Sequence, residues 1–234
     1  MNGDKIEKIF KECGAIKEGH FELSRSQLHS PTYFEKALLY EKPKVFEKLC
    51  LLIAQEVSIR PVKIDAVVGP VPFGAALAWR VAYHLGEISQ KEVNAIFTEK
   101  DWFFLIPPDV EELLLDESSE KLDKIRLKYG LTRKTVKEGG YLFRKSFQKS
   151  VAGKNILLVD DVLTTGGSIT ELMLAVTRLK GKVVAIAVIC NRGGYGPERF
   201  FGLPVISLYK MKLKTSLKEE CLLCQAGVPV DTKF

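Results

Sequence analysis

Short aliphatic and β-branched runs alternate along this chain with stretches whose apolar positions recur at helical spacing. Residues 65–69 (DAVVG) run apolar to a Gly-Pro step, which predicts a strand closing in a turn. Residues 73–85 then predict a helix that turns small and apolar side chains toward a sheet. Residues 94–98 (NAIFT) and 155–159 (NILLV) predict two further strands, the latter followed by a helix over 167–179. Residues 182–190 (KVVAIAVIC) predict another, apolar almost throughout, as a strand covered on both faces requires. Residues 204–209 (PVISLY) read as an edge strand. Strands and helices alternating in this way predict an α/β fold, a parallel sheet flanked by helices.

Two segments break the rhythm. The first begins with a short amphipathic helix (MNGDKIEKIFKECG) and continues in extended pieces and turns, which predicts a small hood over roughly residues 1–40. The second spans roughly residues 102–140. There Asp109, after Pro107-Pro108, caps an apolar pattern at Val110, Leu113 and Leu114, with Glu112 at the third helical position. Ser118 or Ser119 starts a second pattern (Leu122, Ile125, Tyr129) that ends at Gly130. The expectation is a helical insertion over about 109–130, acidic in its first half and basic in its second. Hood and insertion belong to one domain spanning residues 1–234.

Composition adds exclusions. Of 234 residues, 46% are apolar and 27% charged, an ordinary globular balance that argues against extended disorder. The longest apolar run, Val183 to Cys190, falls far short of the roughly 18 residues a membrane span needs. The amino terminus carries no apolar stretch that would direct secretion, so a soluble, cytoplasmic protein is expected. Lys and Arg exceed Asp and Glu by 35 to 29, an excess that suits anionic small molecules as well as nucleic acid. No helix-turn-helix or basic arm is evident, so nucleic acid is not an expected partner.

Five cysteines, an odd number, do not form a disulfide framework. Cys13, Cys50 and Cys190 lie within apolar patterns and are expected to be buried. Cys221 and Cys224 form one C-x-x-C. A zinc site needs a second pair or nearby histidines, and His20, His29 and His84 all stand far upstream. The pair reads as reduced and structural, with a metal or redox role as the alternative, and no metal ligands are assigned.

The chemistry is concentrated in ILLVDDVLTTGGSI, Ile156 to Ile169. An apolar strand runs into adjacent carboxylates, Asp160 and Asp161, and a Thr-Thr-Gly-Gly-Ser turn then opens a helix. At the carboxyl edge of a parallel sheet, such a turn offers consecutive backbone N–H groups and three hydroxyls at a helix amino terminus, a nest for a phosphate monoester. Two carboxylates one turn away would repel the phosphate. They make sense as acceptors for sugar hydroxyls, or opposite a developing positive charge. The pattern specifies a sugar phosphorylated at one end. The P-loop signature G-x-x-x-x-G-K-[ST] and the dinucleotide-binding fingerprint are both absent from the sequence.

This stretch resembles the phosphoribosyl-pyrophosphate (PRPP) motif of the type I phosphoribosyltransferases. GAIKEGHFELSRSQLHSPTYFEK is similar to the amino-terminal segment of the orotate phosphoribosyltransferases, DAVVGPVPFGAALAWRVAY to their pyrophosphate-loop strand and helix, and AIFTEKD to their next strand. ECLLCQAGVP resembles a C-P-L-C tail found in one branch. The likeness covers most of the chain outside residues 102–140.

The resemblance implies a type I phosphoribosyltransferase sheet and transfer of phosphoribosyl from PRPP to orotate, giving orotidine 5′-monophosphate and pyrophosphate. A phosphoribosyltransferase for a purine or another base, and a non-catalytic PRPP-binding regulator, are the alternatives. By position, Asp160 and Asp161 would hold the ribose hydroxyls, and Thr164, Thr165, Gly166, Gly167 and Ser168 the 5-phosphate. Val71, Pro72, Phe73 and Gly74 would form the pyrophosphate loop. Lys100 matches a PRPP-binding lysine that precedes the catalytic loop, although a second alignment places the loop's basic pair at Arg144-Lys145. Arg192, Tyr33 and Phe34 match the base contacts, with Arg25 standing where many members carry lysine. The resemblance further implies Mg²⁺ bound with PRPP or pyrophosphate, and a homodimer. It also implies a lid role for the insertion, hinged near Pro107-Pro108 and Gly139-Gly140, with Lys128, Arg133, Lys134 and Lys137 near the pyrophosphate; a dimer-stabilising hairpin is the rival.

Overall fold

The computed structural model describes residues 3–23, 27–101, 140–211 and 214–232. The helices expected over 109–130, their basic residues and Arg25 lie outside the described residues. The chain opens with α1 (Gly3–Glu12), the hairpin strands β1 (Ile16–Leu23) and β2 (Leu28–Phe34), and helices α2 (Ala37–Glu41) and α3 (Pro43–Ser58). There follow β3 (Ala66–Pro70), α4 (Phe73–Ser89), β4 (Asn94–Asp101), β5 (Gly140–Leu142), α5 (Lys145–Val151) and β6 (Asn155–Leu163). Then come α6 (Gly167–Arg178), β7 (Lys182–Asn191), β8 (Val205–Lys210) and the short α7 (Leu222–Gln225).

The strands form a six-stranded sheet in the order β5-β4-β3-β6-β7-β8, beside the separate two-stranded hairpin. Every pair from β4 to β8 is parallel, while β5 runs antiparallel on β4. Alternation along the central strands divides the core into two. Val67, Leu157, Val159, Ala185 and Ala187 pack toward Phe10, Leu49, Ile53 and Leu77 from α1, α3 and α4. Ala66, Val68, Ile156, Leu158 and Ile186 pack toward Ile169, Leu172 and Val176 of α6 and Val151 of α5. Burial on both faces is why these strands carry no polar alternation.

Two features differ from the expected elements. Helix α3 joins the set: Pro43 in its first turn fixes φ where no intrahelical N–H is needed, and Phe46, Leu49, Cys50, Ile53, Ala54 and Val57 make one buried stripe. It is held to α4 by Glu47, which accepts from Arg80 Nε at 2.7 Å and lies 2.9 Å from His84 Nε2. The third parallel strand does not stop at Val159. It runs to Leu163 because β7 keeps pairing with it, through Asp160↔Val188, Val162↔Cys190 and Leu163↔Asn191. The edge position of β8 agrees with the sequence reading, and Cys13, Cys50 and Cys190 are buried as expected. Among the described residues no helix is long and apolar enough to cross a membrane.

Leu157 lies in the central strand β6 and is fully buried. Leu157→Ala should cost about 2–5 kcal/mol in urea unfolding through lost burial and a cavity. Ile59→Ala, at a side chain 75% exposed, should stay within about 0.5 kcal/mol in the same assay.

Candidate active site

Because β3, β4, β6 and β7 are parallel neighbours, the loops that follow them emerge at one edge of the sheet, where ligands of open α/β sheets bind. Several candidate residues stand there, from separate stretches of sequence.

Asp160 and Asp161 are 9% and 3% exposed at the end of β6. Their own backbone supplies part of their solvation: Asp161 N donates to Asp160 Oδ1 at 2.9 Å, and Val162 N donates to Asp161 Oδ1 at 2.7 Å. Burial and the adjacent Asp161 charge push the Asp160 carboxyl up to about 7. Lys36, just ahead of α2, closes on the pair with Nζ 2.9 Å from Asp161 Oδ2. The same ammonium stands 5.2 Å from the ring centroid of Phe73. Tyr40 of α2 stacks on that ring at 4.5 Å, and its hydroxyl is buried without a hydrogen-bond partner among the described residues. Burial and the negative charge of both aspartates push the Tyr40 phenol up.

Past Leu163 the chain turns outward, and Thr164 and Thr165 are exposed. Gly166 caps α6 with φ +83°, a left-handed conformation in which a side chain would be strained. Thr170 Oγ1 donates to Gly166 O at 2.9 Å and pins the first turn. Gly167 is exposed, and its N donates at 3.5 Å to Thr165 Oγ1, its sole hydrogen-bond partner among the described residues. The twelve-residue α6 thus opens beneath a cluster of free N–H and hydroxyl groups.

At the end of β3, residues Val71 to Gly74 form a loop whose Val71–Pro72 peptide is cis. The turn is tight enough that a Cβ on Gly69 would lie 2.0 Å from the carbonyl oxygen of Gly74, and one on Gly74 would lie 2.3 Å from Pro70 Cδ. Glycine is required at both positions by contact.

Arg192 follows β7, and its backbone N and that of Gly193 both donate to Leu163 O, at 2.9 and 3.0 Å. This joins the Arg192 loop to the Thr-Thr-Gly-Gly-Ser turn. Burial holds the guanidinium below its usual range, and its Nε has no hydrogen-bond partner among the described residues. Burial raises the Tyr33 phenol, and the positive charge of Arg192 opposes that rise. The next residue, Phe34, fills the core instead, 3% exposed with its ring 5.2 Å from Phe10. Lys100 sits in β4 opposite Tyr141 of β5. Arg144, the other candidate for the basic position, stands at the same sheet edge and donates through Nε to Glu99 Oε1 at 2.7 Å.

Sequence reasoning passed over Lys36 and Tyr40. Lys36 closes the segment similar to the amino-terminal stretch of the orotate enzymes, but nothing in local spacing pairs it with an acid 125 residues away.

Residues 39–201 match the phosphoribosyl transferase domain. An orotate phosphoribosyltransferase of Carboxydothermus hydrogenoformans is 34% identical over 223 residues, covering 95% of this chain and 93% of its own. The solved orotate phosphoribosyltransferase of Aeropyrum pernix aligns over 92% of this chain and 97% of its own, at 20% identity and a TM-score of 0.57. A solved adenine phosphoribosyltransferase of Thermoanaerobacter pseudethanolicus aligns over 88% and 99%, at 18% identity and a TM-score of 0.58. The chain belongs to the phosphoribosyltransferases and, with the Carboxydothermus relative, to their orotate family. That is a family of pentosyl-transferring enzymes. The fold alone fits both an orotate and an adenine enzyme, so the choice of base rests on sequence likeness and on the site.

The raised Asp160 carboxyl has a consequence for stability. The folded, ligand-free protein keeps the Asp160 proton up to about pH 7, whereas the unfolded chain releases it near the ordinary carboxylate value of 3.8. The extra proton belongs to the folded state. This contribution to stability is therefore full below about pH 4 and is lost as pH rises through about 7. The Tm of the wild type relative to Asp160→Asn should fall between about pH 4 and 7 and level off above about 8. A difference that does not change with pH would refute this protonation.

Proposed function

We infer that the protein transfers the phosphoribosyl group of PRPP to orotate, releasing pyrophosphate and forming orotidine 5′-monophosphate, as one domain with its hood and insertion. The observation that carries this reading is the convergence of three groups on one sheet edge. They are the buried Asp160–Asp161 pair, the N–H cluster at the start of α6, and the half-buried Arg192 with its unpartnered Nε. An acid pair beside an anion nest suits a phosphorylated sugar. A guanidinium fork on the far side suits a planar carboxylate.

On this reading, Thr164 to Ser168 hold the 5-phosphate, and Asp160 and Asp161 accept from the ribose hydroxyls. Val71 to Gly74 face the pyrophosphate. Lys100 contributes positive charge to the leaving group, and Arg144 of the same sheet edge is the second candidate. Lys36 is placed between Asp161 and the pyrophosphate loop, so it can neutralise the acid before substrate enters and meet phosphate oxygens afterwards. Arg192 and Tyr33 receive the base. Phe34 shapes the hood from its core, and Arg25 belongs with the base contacts by sequence position alone.

Displacement at the anomeric carbon builds positive charge on the sugar and negative charge on the departing pyrophosphate. The aspartates answer the first and the basic groups the second. Mg²⁺ would supply positive charge to the departing pyrophosphate, and the hard carboxylate oxygens of Asp160 and Asp161 would suit that cation. A homodimer and a cytoplasmic location complete the reading. Trp79 and Tyr83, one turn apart on the outer face of α4 and 62% and 52% exposed, are what a subunit contact would cover.

Purified protein with Mg²⁺, PRPP and a panel of bases should release pyrophosphate with orotate and negligibly with adenine or hypoxanthine. Faster release with a purine would leave the family assignment and sink the orotate reading. Arg192→Ala should raise the orotate KM about 10- to 100-fold, as expected for a lost charge-assisted bond of about 1.5–3 kcal/mol, and change the PRPP KM far less. An unchanged orotate KM would remove Arg192 from the base site. The double change Asp160→Asn with Asp161→Asn should abolish transfer while circular dichroism shows a retained fold. Near-normal turnover would overturn the ribose assignment.

A further inference from the structure

Between the hood hairpin and the carboxyl-terminal segment, the structure brings together four side chains that the proposed transfer does not use. His20 of β1, His29 of β2, and Cys221 and Cys224 around α7 each direct one donor atom to a common point, and these atoms all lie within 4.8 Å of one another. His20 Nε2 is 2.8 Å from His29 Nδ1, 3.4 Å from Cys221 Sγ and 3.7 Å from Cys224 Sγ, and Cys224 Sγ is 3.2 Å from His29 Nδ1. A tetrahedral zinc with bonds of roughly 2.0–2.3 Å separates its ligand atoms by about 3.3–3.8 Å. Three of these four separations, 3.2–3.7 Å, stand near that spacing, the two imidazole nitrogens are closer at 2.8 Å, and all four donors lie within 4.8 Å of one another. We propose that His20, His29, Cys221 and Cys224 bind one zinc ion that fastens the hood hairpin to the carboxyl-terminal segment.

The hydrogen bonds on the outer side of the rings support the assignment independently of distance. His20 Nδ1 is 2.8 Å from Val228 O, an acceptor, so this nitrogen carries the ring proton and Nε2 points inward with its lone pair. For His29 Nδ1 to fill the 2.8 Å contact it would have to donate. In a neutral imidazole that would leave no proton on His29 Nε2, a buried atom with no hydrogen-bond partner among the described residues and with Glu22 Oε2 3.7 Å away. A bare nitrogen facing a carboxylate is the wrong arrangement. With a cation at the centre both inward nitrogens present lone pairs, and His29 Nε2–H faces Glu22, the carboxylate–histidine–metal pattern. His20 and His29 are 3% and 1% exposed and Cys221 is 4%, so these three donors are shielded from water, while Cys224 is half-buried at the rim.

The backbone shows what the ion would hold. His29 and Ser216 exchange backbone bonds of 2.9 and 3.0 Å along one edge of the hairpin. Asp231 N donates to His20 O at 2.7 Å and Glu22 N to Asp231 O at 3.1 Å along the other. The two-stranded hairpin is marginal alone, and the segments pairing with it carry the C-x-x-C between them. The separation in sequence that argued against a zinc site disappears in the fold. On binding, Zn²⁺ forms two bonds to sulfur and two to nitrogen, and the two thiols release their protons to solvent.

Reduced, metal-free wild-type protein titrated with Co²⁺ should develop the visible bands of tetrahedral cobalt and a thiolate-to-cobalt charge-transfer band, saturating at one ion per chain. Zn²⁺ should bleach both bands. Protein purified without chelator should carry about one zinc per chain, and stripping it should lower the Tm by several degrees, restored by Zn²⁺. The double change Cys221→Ala with Cys224→Ala should lose the bands. A wild-type titration without a thiolate–cobalt band, or a band that persists in the double variant, would overturn the proposal; so would a Cys221–Cys224 disulfide in protein purified without reductant. If the variant fails to fold, the wild-type spectrum still decides. None of these readouts depends on transferase activity.

Discussion

Two carboxylates on consecutive residues, sunk at the end of a strand buried on both faces, set the central electrostatic constraint of this molecule. Like charges a few ångströms apart repel by about 4 kcal/mol even at an effective dielectric of 20. The structure answers in three ways. Backbone N–H groups of Asp161 and Val162 solvate two of the oxygens, burial and its neighbour raise the Asp160 carboxyl so that it holds its proton up to about pH 7, and the Lys36 ammonium closes on Asp161. The third answer has reach. Lys36 lies between the hood hairpin and α2, so the acids draw the amino-terminal part of the chain over the sheet edge. Tyr40 and Phe73 then stack beneath it.

The same constraint explains why the neighbouring loops are so closely coupled. Arg192 and Gly193 hang by their backbone from Leu163, only two residues past the acid pair. Any shift of the β6 end therefore moves the phosphate turn and the guanidinium together. A site meant to align a sugar, its phosphate and a base gains from that rigidity, since misplacing reacting groups by about 1 Å costs orders of magnitude in rate.

The parallel sheet was legible because strands covered on both faces must be continuously apolar, and β3, β6 and β7 are. Asp160, Asp161 and the Thr-Thr-Gly-Gly-Ser turn were legible because their chemistry is local, with each residue's role following from its neighbours in sequence. Lys36 was not, since its partner is remote and a lysine after two aromatics carries no signal of its own. Helix α3 had a readable stripe from Phe46 to Val57, but no strand precedes it to suggest a βα unit. The histidines beside Cys221 and Cys224 were hidden by distance along the chain, because β1 and β2 meet the carboxyl-terminal segment only through tertiary pairing. Phe34 shows the limit of matching by position: beside Tyr33 in sequence, it points into the core because successive residues of a strand face opposite ways.

One detail of the sheet edge bears on how this chain tolerates change. Asp101, the last residue of β4, is paired directly with Gly140, the first of β5. Whatever lies between them leaves and re-enters the fold at a single rung of the ladder. The entropy of closing such an excursion grows only logarithmically, by about 0.6 kcal/mol for each doubling of its length. Insertion and deletion at this point are therefore nearly invisible to the sheet. Changes in the length of this stretch leave the register of every parallel strand fixed.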